Sequence, residues 1–227
     1  ALRAKAWEAA LRYCARAADR AVERSAYGGA VRFLEGAVEA LDNLPRTPEH
    51  LALAVDVRTR LRPAYEATGR FLPALKRLEE AQEIAAALGD DRLKMKALLH
   101  HSYLNSTHGR AEPAITLAKK VSEIARSLGE ERYAAEADLA YAQGLAQRYD
   151  VVAMLPLLEP HRDAFATRWH SDRFGLLGTR AVFFFGYLSF AHAFLGHFEE
   201  ADAAGQEAVM TARETGRPID KCAALYY

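Results

Sequence analysis

Three stretches of the chain align without gaps, each framed by glycines twenty residues apart. The first runs from Gly69-Arg70-Phe71-Leu72-Pro73-Ala74 through Leu78, Ala81 and Ala85 to Gly89. The second runs from Gly109-Arg110-Ala111-Glu112-Pro113-Ala114 through Ala118, Val121 and Ala125 to Gly129. The third runs from Gly196-His197-Phe198-Glu199-Glu200-Ala201 through Gly205, Ala208 and Ala212 to Gly216. A fixed interval with small residues at fixed offsets marks a repeat architecture, in which each unit buries its apolar face on its neighbour. The opening glycine suits the left-handed residue that ends one helix. An aromatic such as Phe71 or Phe198 anchors the turn. The next helix then presents small residues at nearly i, i+4 and i+7, where alanine lets two helix backbones approach closely. The second glycine closes that helix. Asp90-Asp91 and Glu130-Glu131 place carboxylates where the dipole of the following helix favours them.

Two further units fit the frame less closely. Ser25-Ala26-Tyr27-Gly28-Gly29-Ala30, with Leu34 and Ala37, has serine in the opening place and ends at Pro45. Arg148-Tyr149-Asp150-Val151-Val152-Ala153, with Leu157, carries Pro156 and Pro160 where a helix should run. Proline in a helix interior removes a hydrogen bond, so that helix is expected to start late, bend or split, and Pro63 is expected to bend another. The anchor alanines Ala30, Ala74, Ala114, Ala153 and Ala201 lie 39 to 48 residues apart, room for two helices each. The helices are predicted at 3–24, 27–43, 48–68, 71–88, 91–108, 111–128, 131–147, 150–166, 173–195 and 198–215, with another beginning near Pro218. Composition agrees: 46 alanines and 28 leucines among 227 residues, against 14 glycines and 8 prolines, favour helix over strand.

The pattern resembles the tetratricopeptide repeat (TPR). Matching positions are Leu61, Tyr65, Gly69, Phe71, Ala74, Leu78 and Ala81; Ser102, Gly109, Ala114, Ala118 and Val121; and Leu188, Ser189, Gly196, Phe198, Ala201 and Ala208. Tryptophan is missing from its usual place on each first helix. The small residue midway along that helix is kept as Ala18 and Ser102 but replaced by Arg62 and Tyr141. The resemblance implies an all-α, right-handed superhelical solenoid of about five TPR-like hairpins in one domain. The repeats fall at about 3–45, 48–89, 91–129, 131–168 and 173–216, with the start of a further helix at 218–227. A narrower likeness rests on Trp7-Glu8-Ala9-Ala10-Leu11-Arg12-Tyr13, Ala87-Leu88-Gly89-Asp90 and Asp172-Arg173-Phe174-Gly175. These are similar to the C-terminal TPR regions of bacterial signalling proteins that carry an AAA-type or STAND-type ATPase or a class III nucleotide cyclase. Both ends of the chain fall inside apolar helical patterns, as expected of a segment of a longer protein.

The 30 basic residues balance the 30 acidic ones, which argues against a general nucleic-acid or acidic-membrane binder. No run of eighteen apolar residues could span a membrane. Cys14 and Cys222 make no disulfide framework, so a reduced, cytoplasmic setting is expected. There is no phosphate loop and no Gly-x-Ser-x-Gly elbow, so neither a cofactor nor an enzymatic activity is expected of this chain. His100, His101 and His108 lack the spacing a metal demands and read as ordinary helix positions. His161, Asp163, Trp169 and His170 read as a linker whose tryptophan packs on a neighbouring helix, rather than as a ligand loop.

By TPR geometry the concave face would hold Asp56, Thr59, Glu66, Lys96, Tyr103, Ser106, Thr107, Asp138, Phe183, Phe190 and Phe194, together with Arg12, Asp19 and Glu23. Acids outnumber bases there five to two, implying a mildly acidic groove. Arg58, Arg60 and Arg62 alternate along one helix and point in different directions, making no single patch. Phe183, Tyr187, Phe190 and Phe194 share one helix face. They read either as an aromatic groove floor for an apolar peptide or helix, or as core and contact with a further repeat. The expected function is a non-catalytic interaction or sensing scaffold for a peptide, helix or partner domain, regulating a linked ATPase or cyclase. The alternatives are a small-ligand or signalling-peptide sensor and a homo-oligomerisation module. The least stable stretch is expected at 148–175.

Overall fold

A computed structural model describes residues 2–227, with side chains from residue 6 onward. The described residues form twelve α-helices and one 3-10 turn, and no strand. They divide into two compact units, residues 1–108 and 109–227. The first unit contains α1 (Leu2–Glu23), α2 (Tyr27–Asp42), α3 (Pro48–Glu66), α4 (Phe71–Leu88) and α5 (Asp91–Thr107). Consecutive helices pack on one another, and α5 also lies beside α3. The second unit contains α6 (Ala111–Leu128), α7 (Glu131–Ala146), α8 (Val151–Leu158), the 3-10 turn Glu159–His161, α9 (Arg162–Ala166), α10 (Arg180–Phe194), α11 (Phe198–Thr215) and α12 (Pro218–Ala224). There α7 packs on α6, α8 and α10, and α10 packs on α11 and α12. No helix of the described residues is long and apolar enough to cross a membrane.

The helices stop where the glycine spacing predicts. Gly69, Gly89, Gly109, Gly129, Gly196 and Gly216 all have φ between 65° and 79°. After Gly69, the Arg70 N–H reaches back to the Tyr65 carbonyl at 2.9 Å, satisfying an orphan carbonyl of the preceding helix. The same bond recurs from His197 to His192 at 3.0 Å, after Gly196. Two hairpin turns adopt this shape without glycine: Ser25 and Tyr149 both have φ of 55°. At the starts, the Thr47 hydroxyl accepts from the His50 N–H with Pro48 following, and the Asp90 carboxylate accepts from the N–H groups of Arg92 and Leu93.

The alanine stripe lies where helices touch. Ala74, Leu78, Ala81 and Ala85, and likewise Ala114, Ala118, Val121 and Ala125, have no exposed surface. In the first unit Leu34, Leu61, Leu78 and Leu104 share one core with Ala30 and Ala37. In the second unit aromatics dominate: Phe165 and Phe184 stack at 4.2 Å, and Phe185 meets Phe184 edge-on at 5.2 Å. Phe184 and Phe185 settle in the core, while their neighbour Phe183 stays half-buried.

Three expectations are corrected. The left-handed residue of the fourth hairpin is Tyr149, not Arg148, so the frame there shifts by one. Met154 rather than Ala153 is then the anchor, fully buried where Ala153 is half-buried, and Ala142 rather than Tyr141 is the small residue of the first helix. Second, the helix expected from 173 begins at Arg180. Phe174 and Gly175 both have positive φ, and the Asp172 carboxylate accepts from the Phe174 N–H at 2.9 Å, which holds a turn. The helix start is instead fixed from α12: the buried Asp220 accepts from both the N–H and the hydroxyl of Thr179, at 2.7 and 2.6 Å. Third, the mapped inner face does not lean acidic in the first unit, as the ion pairs below show. The proline-bearing helix does split, into α8 and α9 at Glu159–His161, while α3 runs through Pro63 to Glu66.

Candidate functional site

In the first unit the mapped positions lie along α1, α3 and α5, and several of their charged groups are held in ion pairs. Arg60 pairs with Asp19 and lies 3.8 Å from Asp56, which in turn pairs with Lys96. A ladder of alternating charge therefore crosses from α1 to α5. Further along, Arg62 pairs with Glu66 and lies over the Tyr103 ring at 5.7 Å, and the Thr107 hydroxyl donates to Glu66 at 2.6 Å. Thr59, Tyr103 and Ser106 are buried, with the Thr59 hydroxyl donating to the Asp56 carbonyl. The acids Asp19, Asp56 and Glu66 of this face are met by Arg60 and Arg62, whose side-chain length brings their guanidinium groups to it. Arg58 points the other way, to Asp42 and Glu80 at 2.9 Å each, so the three arginines make no single patch.

On that other face, Tyr65 donates to Glu35 at 2.6 Å, and Arg77 joins Glu35 to Glu80. Burial and the Glu35 carboxylate push the Tyr65 hydroxyl up to about 12. Tyr65, Glu35 and Arg77 line a cleft of about 690 Å³ with Arg32, Glu39 and Asp42 of α2. Sequence spacing gave no hint of this cleft.

In the second unit, Glu136 is fully buried between two arginines: Arg180 Nε lies 2.9 Å from one oxygen and Arg132 Nη2 lies 2.9 Å from the other. Arg132 is held among the rings of Phe165, Trp169 and Phe174 at 5.0, 4.6 and 4.9 Å, which fixes the irregular segment after α9. Trp169 thus packs inward, as the linker reading expected. His170 pairs with Glu214 at 2.7 Å. Asp138 is buried and accepts from Ser122 and Arg126 of α6 and faces His161 at 2.9 Å, so it joins those elements and stands apart from the phenylalanine row. His101 bonds Gln82, and the His108 ring lies tilted against Phe71 at 4.3 Å. No group of three potential metal ligands occurs among the described residues.

The phenylalanine row of α10 runs from half-buried to exposed. Arg180 lies over the half-buried Phe183 at 5.4 Å. Phe190 is half-buried and Phe194 is 57% exposed, their rings 4.5 Å apart. Tyr149, from the turn after α7, completes the cluster at 6.4 Å from Phe190 and 5.6 Å from Phe194. Its side chain is open to solvent, at 67% exposure. Tyr149 belongs to a hairpin turn, which the spacing of positions along the first helices does not reach.

No protein-family model matches the chain, and no curated protein matches it. Solved structures do. The Rap conjugation gene regulator of the plasmid pLS20, solved in complex with the Phr* peptide, has a TM-score of 0.74 and 18% identity over 92% of this chain. The chain spans 56% of that regulator's length. Two crystal structures of a Podosopora anserina protein described as a kinesin light chain with nearly identical TPR-like repeats, one of them a single-residue variant, have TM-scores of 0.63 and 0.65. Each is 20% identical, over 91% of this chain and 97% of theirs. At these identities the likeness is one of fold, and the fold of the chain is TPR-like: all-α, built of helical hairpins.

Proposed function

We propose that this chain is a non-catalytic binding module for a peptide or a partner helix, with its binding strip at Phe183, Phe190 and Phe194 of α10 and Tyr149 of the α7–α8 turn. One observation carries the reading: the aromatic cluster of Tyr149, Phe190 and Phe194 is partly open to solvent, while on the mapped face of the first unit Asp56, Glu66 and Lys96 are engaged in ion pairs. Exposed aromatics in contact with one another are the usual anchors of polypeptide interfaces. The Rap regulator's complex with a peptide supports the same use of a similar fold. By the narrower resemblance the module would belong to a cytoplasmic signalling protein and regulate a linked ATPase or nucleotide cyclase. The test is fluorescence anisotropy of the whole chain with a panel of labelled amphipathic-helix peptides. Binding that is lost in Phe190→Ser and Phe194→Ser, with the thermal midpoint retained, is expected. Binding that survives both substitutions would remove the strip from the reading.

A further inference from the structure

The partner's charge can be read from what surrounds the aromatic cluster, and this step rests on the peptide-binding reading. Two more exposed apolar side chains stand beside the turns that flank the cluster. Val152, near the start of α8, is 69% exposed, and Phe198, at the start of α11, is 73% exposed. Asp150 follows Tyr149, and Glu199 and Glu200 follow Phe198, all three exposed. None of these carboxylates has a cation within ion-pair distance among the described residues. The basic groups of this edge are used elsewhere. Arg148 pairs with Glu112, and the His197 ring rests against His192, whose Nε2 faces Glu159 at 2.9 Å. From Tyr149 to Pro160 there is no basic residue, and α11 has none before Arg213. The α7–α8 and α10–α11 turns and the helix starts that follow them thus carry four exposed apolar side chains, Tyr149, Val152, Phe194 and Phe198, and three carboxylates that no cation pairs with among the described residues.

We infer that this edge takes a basic amphipathic segment of a partner. Its apolar residues would lie on Phe190, Phe194 and Phe198, and a lysine or arginine would cover the Tyr149 and Phe194 rings and meet Asp150, Glu199 and Glu200. A neutral apolar partner would strip water from these carboxylates and return nothing. A second copy applied through the same patch would set like charges face to face. Tyr149 fits the reading in one more respect: it holds a left-handed φ of 55° at a hairpin turn, where Gly69, Gly109 and Gly196 stand in three of the others. The ring is kept at a place the backbone would give to glycine.

The experiment uses the whole chain and three labelled helical peptides that share one leucine face and carry lysine, glutamine or glutamate on the other. The lysine peptide is expected to bind about tenfold tighter than the glutamine peptide at low salt, with the difference shrinking as salt rises. Asp150→Asn, Glu199→Gln and Glu200→Gln together should bring the lysine peptide down to the level of the glutamine peptide. Tyr149→Gly, which suits the turn, should weaken the lysine peptide more than the glutamine one. Equal binding of the lysine and glutamine peptides, or indifference to the triple substitution, would overturn the charge inference and leave the peptide-binding reading standing. Failure of all three peptides would overturn both. A concentration-dependent dimer in sedimentation, lost in Phe194→Ser, would assign the patch to a second copy and overturn the inference.

Discussion

Replacing Glu136 by alanine should be among the most damaging single changes available in the second unit. The carboxylate has no exposed surface and answers two guanidinium groups, Arg180 with 5% and Arg132 with 14% of the side chain exposed. Removing one partner of a buried pair leaves an uncompensated charge and costs about 3–5 kcal/mol. Here both cations retain something: Arg132 has Asp172 at 3.3 Å and three ring faces, and Arg180 has the Phe183 ring. That places the loss near the lower end, about 3 kcal/mol. For a chain of this length the thermal midpoint should fall by roughly 6–12 °C. Hydrogen exchange should quicken first at α10's opening turn and in the segment around Trp169, which Arg132 holds. The double variant Glu136→Leu/Arg180→Met should recover part of the loss, because it removes the stranded charge along with its partner. Glu131→Ala, which breaks the solvent-exposed pair with Arg168 and removes a first-turn carboxylate of α7, serves as the control and should cost no more than about 1 kcal/mol. A loss under about 1 kcal/mol in Glu136→Ala would equate this pair with a surface bridge and refute the reasoning.

Other outcomes follow from the same structure. Ser25→Gly should stabilise the chain by about 0.5–1 kcal/mol in urea titration, because Ser25 holds φ of 55° with an exposed side chain. Ala118→Leu should destabilise by about 1–3 kcal/mol, since Ala118 has no exposed surface and no room for three more carbons. The Tyr65 hydroxyl is raised by burial and by Glu35 from 10.0 to about 12, so its contribution is complete below pH 10 and is lost as pH rises towards 12. Tyr65→Phe should therefore lower stability at pH 8 but flatten the alkaline limb, as followed by urea titration from pH 8 to 12. Glu80 is subject to burial, which raises it, but hydrogen bonds from Arg77 and Arg58 prevail and hold it below its usual range. Stability from Glu80 is thus present near neutrality and lost on acidification, and Glu80→Gln should reduce the acid limb below about pH 5.

The hairpin turns were legible because glycine spacing records a backbone demand that few other residues meet, and the alanine stripe was legible because close helix contact excludes larger side chains. Tyr149 hid the frame of the fourth repeat: it meets the same demand without being glycine, and the alignment slid to Arg148. The seven residues before Arg180 misled for a different reason. Asp172 holds their turn locally, but the point at which α10 begins depends on Asp220, forty-one residues beyond Thr179, and no local pattern reports so distant a carboxylate. On the candidate site, the phenylalanine row was visible as one helix face, and the burial of Phe184 and Phe185 separated core from surface within α10. The charge of the first unit's inner face was not visible, because Arg60 and Arg62 reach it by side-chain length rather than by helix position.

The tie between Asp220 and Thr179 also bears on the order of folding during synthesis. Most hairpins here can close as soon as their own residues leave the ribosome, since their caps lie within the hairpin. The start of α10 cannot, because its backbone N–H at Thr179 finds its acceptor only when α12 has emerged. Until then the most aromatic helix of the chain has its first turn unsecured, and Phe184 and Phe185 lie in a core still open at one end. The fifth hairpin should therefore consolidate only after α12 has emerged, and until then it is a point at which a chaperone would find apolar surface to hold.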